Sequence, residues 1–164
     1  MSQIKAFEKC EFRVLDTGTC YGDGEYLYIE AEAADSIDDT QNRAVFDVPE
    51  ELALFSGHHN ETVNKWTATL KDLHDSGKSV AVWGTGGKGI GFLNAVQSEH
   101  VSCVVDINPD RQRKFVPGSA HRIEAPEYLK QIKPDVIIVT NPLYRCEIEA
   151  QATALGITSE FLIA

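Results

Sequence analysis

The stretch from Lys78 to Asn94, K-S-V-A-V-W-G-T-G-G-K-G-I-G-F-L-N, constrains this chain more than any other. A short apolar run, Val80 to Trp83, breaks into glycines at Gly84, Gly86 and Gly89. It resumes with helical spacing through Ile90, Leu93 and Val96, which reads as strand, tight turn and helix. Each glycine has its own reason: Gly84 permits a sharp exit from the strand, Gly86 lets a phosphate approach the backbone, and Gly89 lets helix and strand pack closely. The helix start, at Gly87 and Lys88, presents unpaired N–H groups and the positive end of a helix dipole, and Lys88 adds a cation, so the turn suits an anion. The alternative is that the glycines serve backbone geometry alone.

The chain after this turn repeats the same alternation. Val101 to Asp106 reads as a second buried strand, and Asp106 stands at about the offset of a ribose-binding acid. Capping the Asn108-Pro109 turn is its other possible role. Asp110 to Arg122 is polar and basic with one Pro-Gly turn, and reads as a loop across the mouth of the sheet before a short strand near Arg122-Ile123. Its Arg111, Arg113 and Lys114 could join Lys88 in a local basic pocket. Ala125-Pro126-Glu127 opens a helix through Leu129 and Ile132. Asp135 to Thr140 is a continuous β-branched run of the kind buried on both faces of a parallel sheet, and Asn141-Pro142 ends it. Leu143 to Leu155 is a helix closed by Gly156, and Glu160 to Ile163 a last strand.

Strands alternating with helices imply an α/β fold, here a Rossmann-like doubly wound parallel sheet. Right-handed crossovers make 3-2-1-4-5, counted from the glycine-turn strand, the simplest order. Ligands bind such sheets at the switch point beyond the first and fourth strands, so Gly84 to Gly89 and Thr140 to Arg145 are the candidate site segments. Within the second, Asn141 and Tyr144 are the candidate contacts.

Residues ahead of this unit read differently. Residues 1–9 look like the end of a helix, and Phe12 to Asp16 and Tyr26 to Ala31 like two strands joined at Gly22-Asp23-Gly24. A hairpin follows, which needs a larger sheet or a partner because two strands alone are marginal in water. Residues 35–48 read as an acidic linker. A long linking helix then starts at Pro49, with an apolar face of Leu52, Phe55, Val63, Trp66, Leu70 and Leu73, an interruption expected at Ser56-Gly57, and a stop at Gly77. His58 and His59 are adjacent on that helix and so are not a natural metal pair.

With 164 residues and 43% hydrophobic content, one core plus an appendage is the expectation: a hairpin over 1–34, a linker over 35–48 and a Rossmann-like domain over 49–164. The net charge of -10 argues against nucleic acid and anionic membrane surfaces as partners. Cys10, Cys20, Cys103 and Cys146 are scattered, without a C-x-x-C pair, which fits reduced thiols in the cytoplasm and no metal site. No apolar run is long enough to span a bilayer.

V-A-V-W-G-T-G-G-K-G, V-V-D-I-N-P-D-R-Q-R-K-F-V-P-G, the helix opening at Pro126-Glu127-Tyr128-Leu129, and I-I-V-T-N-P-L-Y-R together resemble the C-terminal domain of nucleotide-sugar C-methyltransferases, which are S-adenosylmethionine-dependent enzymes. The resemblance runs over roughly residues 50 to 164, in several blocks of fixed order. Residues 7–33 also resemble the hairpin that closes the methyltransferase domain preceding this module in the family. The family's cysteine-rich zinc region, cofactor loop and catalytic His/Tyr motif have no counterpart here, so the resemblance implies a chain without catalytic residues of its own, and S-adenosylmethionine as cofactor only if a methyltransferase domain is supplied. It implies nucleotide-sugar binding at Gly84, Gly86, Gly87, Lys88 and Gly89, with Asn141 and Tyr144.

The first reading is therefore a nucleotide-sugar, or other diphosphate, binding module that forms a homodimer or docks on a methyltransferase domain through its hairpin. A second is a free-standing NAD(P)-binding protein with oxidoreductase activity and Asp106 on the ribose. A third is a structural assembly module.

Overall fold

In a computed structural model of the protein the described residues are 3–21, 24, 26–34 and 48–164, with the backbone alone described at 48–51. Gly22 and Asp23 of the expected turn and residues 35–47 of the expected linker lie outside them. The chain divides into two units, Met1–Asp47 and Val48–Ala164.

In the first unit α1 spans Gln3–Lys9, and Phe7 meets Phe12 edge-on at 5.8 Å. β1 (Phe12–Cys20) and β2 (Tyr26–Ala33) pair antiparallel, with Phe12 opposite Ala33 and Cys20 opposite Tyr26. The expected hairpin is present, and β1 runs on past Asp16. Gly18 reads as a breaker, but it stands opposite Tyr28, and a methyl group at Gly18 would come 2.7 Å from the Tyr28 ring. The ring fills the place of the absent side chain, which is how an aromatic neighbour compensates a strand glycine. The Tyr28 hydroxyl donates to Asp16 Oδ2 at 2.6 Å. Among the described residues of this unit only Val14 is buried; Phe12, Tyr26, Leu27 and Tyr28 are exposed.

The second unit begins with α2, Val48–Asp75, which is unbroken. The interruption expected at Ser56-Gly57 does not occur: one glycine costs a helix about 1 kcal/mol against alanine, and the cooperative turns on either side outweigh that. Trp66 and Leu70 are buried and Val63 and Leu73 half-buried, whereas Leu52 and Phe55 are exposed. The apolar stripe thus packs along its C-terminal half only.

β3 (Val80–Trp83), β4 (Cys103–Val105), β5 (Ile123–Glu124), β6 (Val136–Val139) and β7 (Glu160–Ile163) form a parallel sheet in the order β5-β4-β3-β6-β7. Counted from the glycine-turn strand this is 3-2-1-4-5, as the alternation of elements requires. The connecting helices are α3 (Gly87–Ala95), α4 (Leu129–Ile132) and α5 (Arg145–Ala154). Strand alternation sends Val80, Val82, Val104, Val136 and Ile138 to one face, against Trp66 and Leu70 of α2 and Leu93 of α3. Ala81, Trp83, Val105, Ile137 and Val139 go to the other, against Leu129 of α4 and Ile148 and Ala152 of α5. Both faces are covered, which is why these strands carry no polar alternation. The fold is α/β and Rossmann-like.

The segment expected as a loop has no helix or strand of its own, and its course is held by backbone hydrogen bonds. Arg113 N–H donates to Ile123 O and Ile123 N–H to Lys114 O, and Phe115 bridges Arg122, so residues 113–123 turn back on themselves along the sheet edge. Val116, 1% exposed, anchors this turn in the core. Burial of this side chain is the reason a polar segment closes into a tight structure.

Candidate functional site

The site grows out of the end of β3. Gly84 adopts φ 106°, which a residue with a Cβ resists, and its N–H donates to Val105 O at 2.8 Å, turning the chain off the sheet while still tied to β4. Thr85 follows, 2% exposed. Its N–H donates to Asp106 Oδ2 at 2.7 Å and its hydroxyl donates to the same oxygen. The glycine turn is thereby fastened to the end of β4.

Gly89 lies against the start of the turn: a Cβ there would stand 2.0 Å from Gly84 O and 3.2 Å from Thr140 Oγ1. The close approach expected of the third glycine is thus present, and Thr140 at the end of β6 joins the contact. Gly86, by contrast, has room, since the nearest atom to a Cβ would be an Arg111 guanidinium nitrogen at 3.9 Å. α3 starts without a side-chain cap. Gly87 and Lys88, its first two residues, are exposed.

Asp106 is 4% exposed and uses both oxygens. Besides Thr85, Oδ2 accepts from Arg111 at 3.2 Å, and Oδ1 accepts from the Asn108 N–H at 2.9 Å. Burial pushes the Asp106 carboxyl up, but the hydrogen bonds from Thr85, Asn108 and Arg111 outweigh it and hold the group below the ordinary carboxylate value. The Asn108 contact is the turn cap that sequence reasoning weighed against a ribose contact. The residue therefore braces the glycine turn and positions Arg111. Its backbone carbonyl accepts from Gln112 Nε2 at 3.0 Å.

Asn141 and Tyr144 lie past the end of β6. Asn141 Oδ1 accepts from the Leu143 N–H at 3.2 Å, capping the Pro142–Tyr144 turn. Tyr144 and Leu143 are exposed. Arg113 and Lys114 are exposed on the edge turn, with Arg113 at φ 65°. The structure gathers the glycine turn, Asp106, Arg111, Thr140 and Asn141 at the carboxyl edge of the sheet. Sequence reasoning placed Thr85 and Thr140 inside the candidate segments without singling them out, and set Arg111 in a basic pocket with Lys88, Arg113 and Lys114 as the alternative to a solvated loop. The signal for Thr85 was there: a hydroxyl inside the turn faces an acid at the next strand end.

Chemically, this edge offers N–H donors, a guanidinium and a lysine, and its hydroxyl–carboxylate pair, Thr85 with Asp106, is buried. That is the chemistry of holding an anion. Among the described residues no group of three or more His, Cys, Asp or Glu is arranged to hold a metal ion, and no helix is long and apolar enough to cross a membrane.

Compared with protein families, residues 29–164 match the model described as C-methyltransferase C-terminal domain. The chain belongs to this family. The match opens inside β2 and takes in every element of the second unit, so the C-methyltransferase C-terminal domain is the α/β unit together with the last part of the hairpin. Compared with the curated proteins, the chain finds no match.

Proposed function

We propose that this C-methyltransferase C-terminal domain binds a nucleotide-sugar, with the diphosphate at Gly86 to Lys88, and holds it for a methyl transfer carried out by residues other than those at this edge. The observation that carries the reading is the Arg111 guanidinium, held by Asp106 beside the open face of Gly86 and the uncapped start of α3. A guanidinium presents five N–H donors, of which one carboxylate contact leaves several for phosphate oxygens. Family membership supports the methyltransferase setting.

The dinucleotide reading is disfavoured by the state of Asp106, whose oxygens are engaged by Thr85, Asn108 and Arg111 rather than offered to a ribose diol. In this proposal S-adenosylmethionine belongs to a methyltransferase domain, the hairpin docks on that domain or on a second copy of the chain, and the protein works in the reducing cytoplasm.

Thermal unfolding in the presence of nucleotide-sugars, NAD, NADP and S-adenosylmethionine tests it. A nucleotide-sugar at about 100 times its Kd stabilises by about 2.7 kcal/mol. The expected result is a raised melting temperature with nucleotide-sugars and none with S-adenosylmethionine. Stabilisation by NAD alone, or by no diphosphate, overturns the reading.

A further inference from the structure

On the α4–α5 face of the sheet, a cleft of about 250 Å³ opens beside the end of β4. Ile107, Pro126 and Leu155 supply its apolar walls, and Gln112, Glu127 and Gln151 its polar edge. The cleft adjoins the glycine turn through one residue. The Asp106 side chain holds Thr85, its backbone carbonyl holds Gln112 at 3.0 Å, and Ile107 follows it in the chain. Ile107 is 53% exposed, an apolar side chain left uncovered at the end of a buried strand.

The polar edge has a defined sense. Gln112 Nε2 donates to a backbone carbonyl, and Gln151 Nε2 donates to Glu147 Oε1 at 3.0 Å. Both partners are acceptors only, so neither amide can be flipped, and each keeps its Oε1 as an acceptor beside one remaining N–H. Glu127 adds an exposed carboxylate, and no lysine or arginine lines the cleft. A carboxylate without a cation repels phosphate, and it suits, with the two amides, a flat ring that carries N–H groups on its edge. The volume lies below the range of about 300–1,000 Å³ typical of whole drug-sized ligands, and so suits a single heteroaromatic group.

We propose that this cleft is the nucleobase subsite, taking the ring of a nucleoside diphosphate between Ile107 and Leu155 with its N–H edge on Gln151, Gln112 and Glu127. The proposal rests on the anion reading of the glycine turn, because that turn would hold the diphosphate of the same molecule. Pyrimidine and purine bases share the donor chemistry, and a panel of bases separates them.

Calorimetry on the full chain tests this, with inorganic pyrophosphate, the free nucleosides, and the diphosphates of uridine, thymidine, guanosine and adenosine as probes. At least one nucleoside diphosphate should bind about tenfold or more tighter than pyrophosphate, as one or two satisfied hydrogen bonds allow. Gln151→Ala should remove most of that margin and leave pyrophosphate unchanged, and Ala154→Phe, at an exposed position lining the cleft, should remove it by filling the space. Arg111→Ala should weaken pyrophosphate and diphosphates alike. Circular dichroism on each variant separates loss of fold from loss of binding. Equal affinity for pyrophosphate and every nucleoside diphosphate overturns the subsite and leaves the anion reading standing. Nucleoside binding that is sensitive to Gln151→Ala, without pyrophosphate binding, supports the subsite and overturns the anion reading. Absence of binding by all probes overturns both.

Discussion

A methyl group added at Gly89 would stand 2.0 Å from the carbonyl oxygen of Gly84, whereas one added at Gly86 would meet nothing nearer than 3.9 Å. Two residues of one type, three positions apart, therefore differ: one is closed by packing and the other is open. Gly89→Ala should destabilise the protein by about 2 to 3 kcal/mol, the usual cost of overpacking against backbone, measured by urea unfolding. Gly86→Ala should leave that unfolding curve in place and lower the affinity for a diphosphate ligand, since a Cβ obstructs the approach to the backbone. The close approach at Gly89 was legible in the sequence because the glycine motif encodes backbone geometry locally. The role of Asp106 was not, because a carboxylate at a strand end can cap a turn, bind a ribose or brace a neighbour, and only the position of Thr85 decides. That brace has a pH signature. The folded carboxyl titrates below its ordinary value of about 3.9, so its contribution is complete above that value and is lost as pH falls through the lower folded value. In that window the unfolded chain binds more protons, so stability rises with pH. Asp106→Asn should be less stable than the parent at neutral pH, with the gap narrowing below about pH 4 in denaturant titrations.

Helices and strands were legible where one face is buried throughout and less so where the pattern changes along an element. The central strands β3, β4 and β6 carry uninterrupted apolar runs and were read correctly. β1 was read as ending at Asp16, and nothing local announces that Tyr28 lies across Gly18. α2 was expected to break at Gly57 because propensity is weighed residue by residue, whereas a helix of this length is cooperative. A Cβ at Gly57 would meet nothing within 4 Å, so Gly57→Ala should stabilise the protein by about 0.5 to 1 kcal/mol, read as a rise in the thermal midpoint. A fall would mean that the helix bends there. The hairpin carries a different expectation. Two antiparallel strands with Phe12, Tyr26, Leu27 and Tyr28 exposed are marginal alone and present open edges to other strands. Light scattering should therefore find self-association of the full chain and a monomer for a chain beginning at Pro49. A monodisperse monomer for both removes the hairpin as an assembly surface.

The topology of the whole α/β unit followed from the alternation of elements and the handedness of crossovers, which restrict five parallel strands to few orders. The switch point followed from the topology. The cleft did not, because its lining comes from three separate segments, Ile107 and Gln112 after β4, Pro126 ahead of α4, and Gln151 and Leu155 at the end of α5, and no sequence pattern couples them. An acidic chain of net charge -10 sets Lys88, Arg111, Arg113 and Lys114 in or near one edge of its sheet. The central claim is that the glycine turn takes the diphosphate of a nucleotide-sugar. At 18.1 kDa the protein suits two-dimensional amide spectroscopy, and titration of an isotopically labelled sample with uridine-, thymidine- and guanosine-diphosphate sugars tests the claim most directly. The account predicts that, with at least one of these sugars, the amide resonances of Gly86, Gly87, Lys88 and Gly89 and the side-chain Nε–H of Arg111 shift together and saturate on one binding curve. Saturable shifts confined to other residues, or unchanged resonances at those positions with all three sugars, would contradict it.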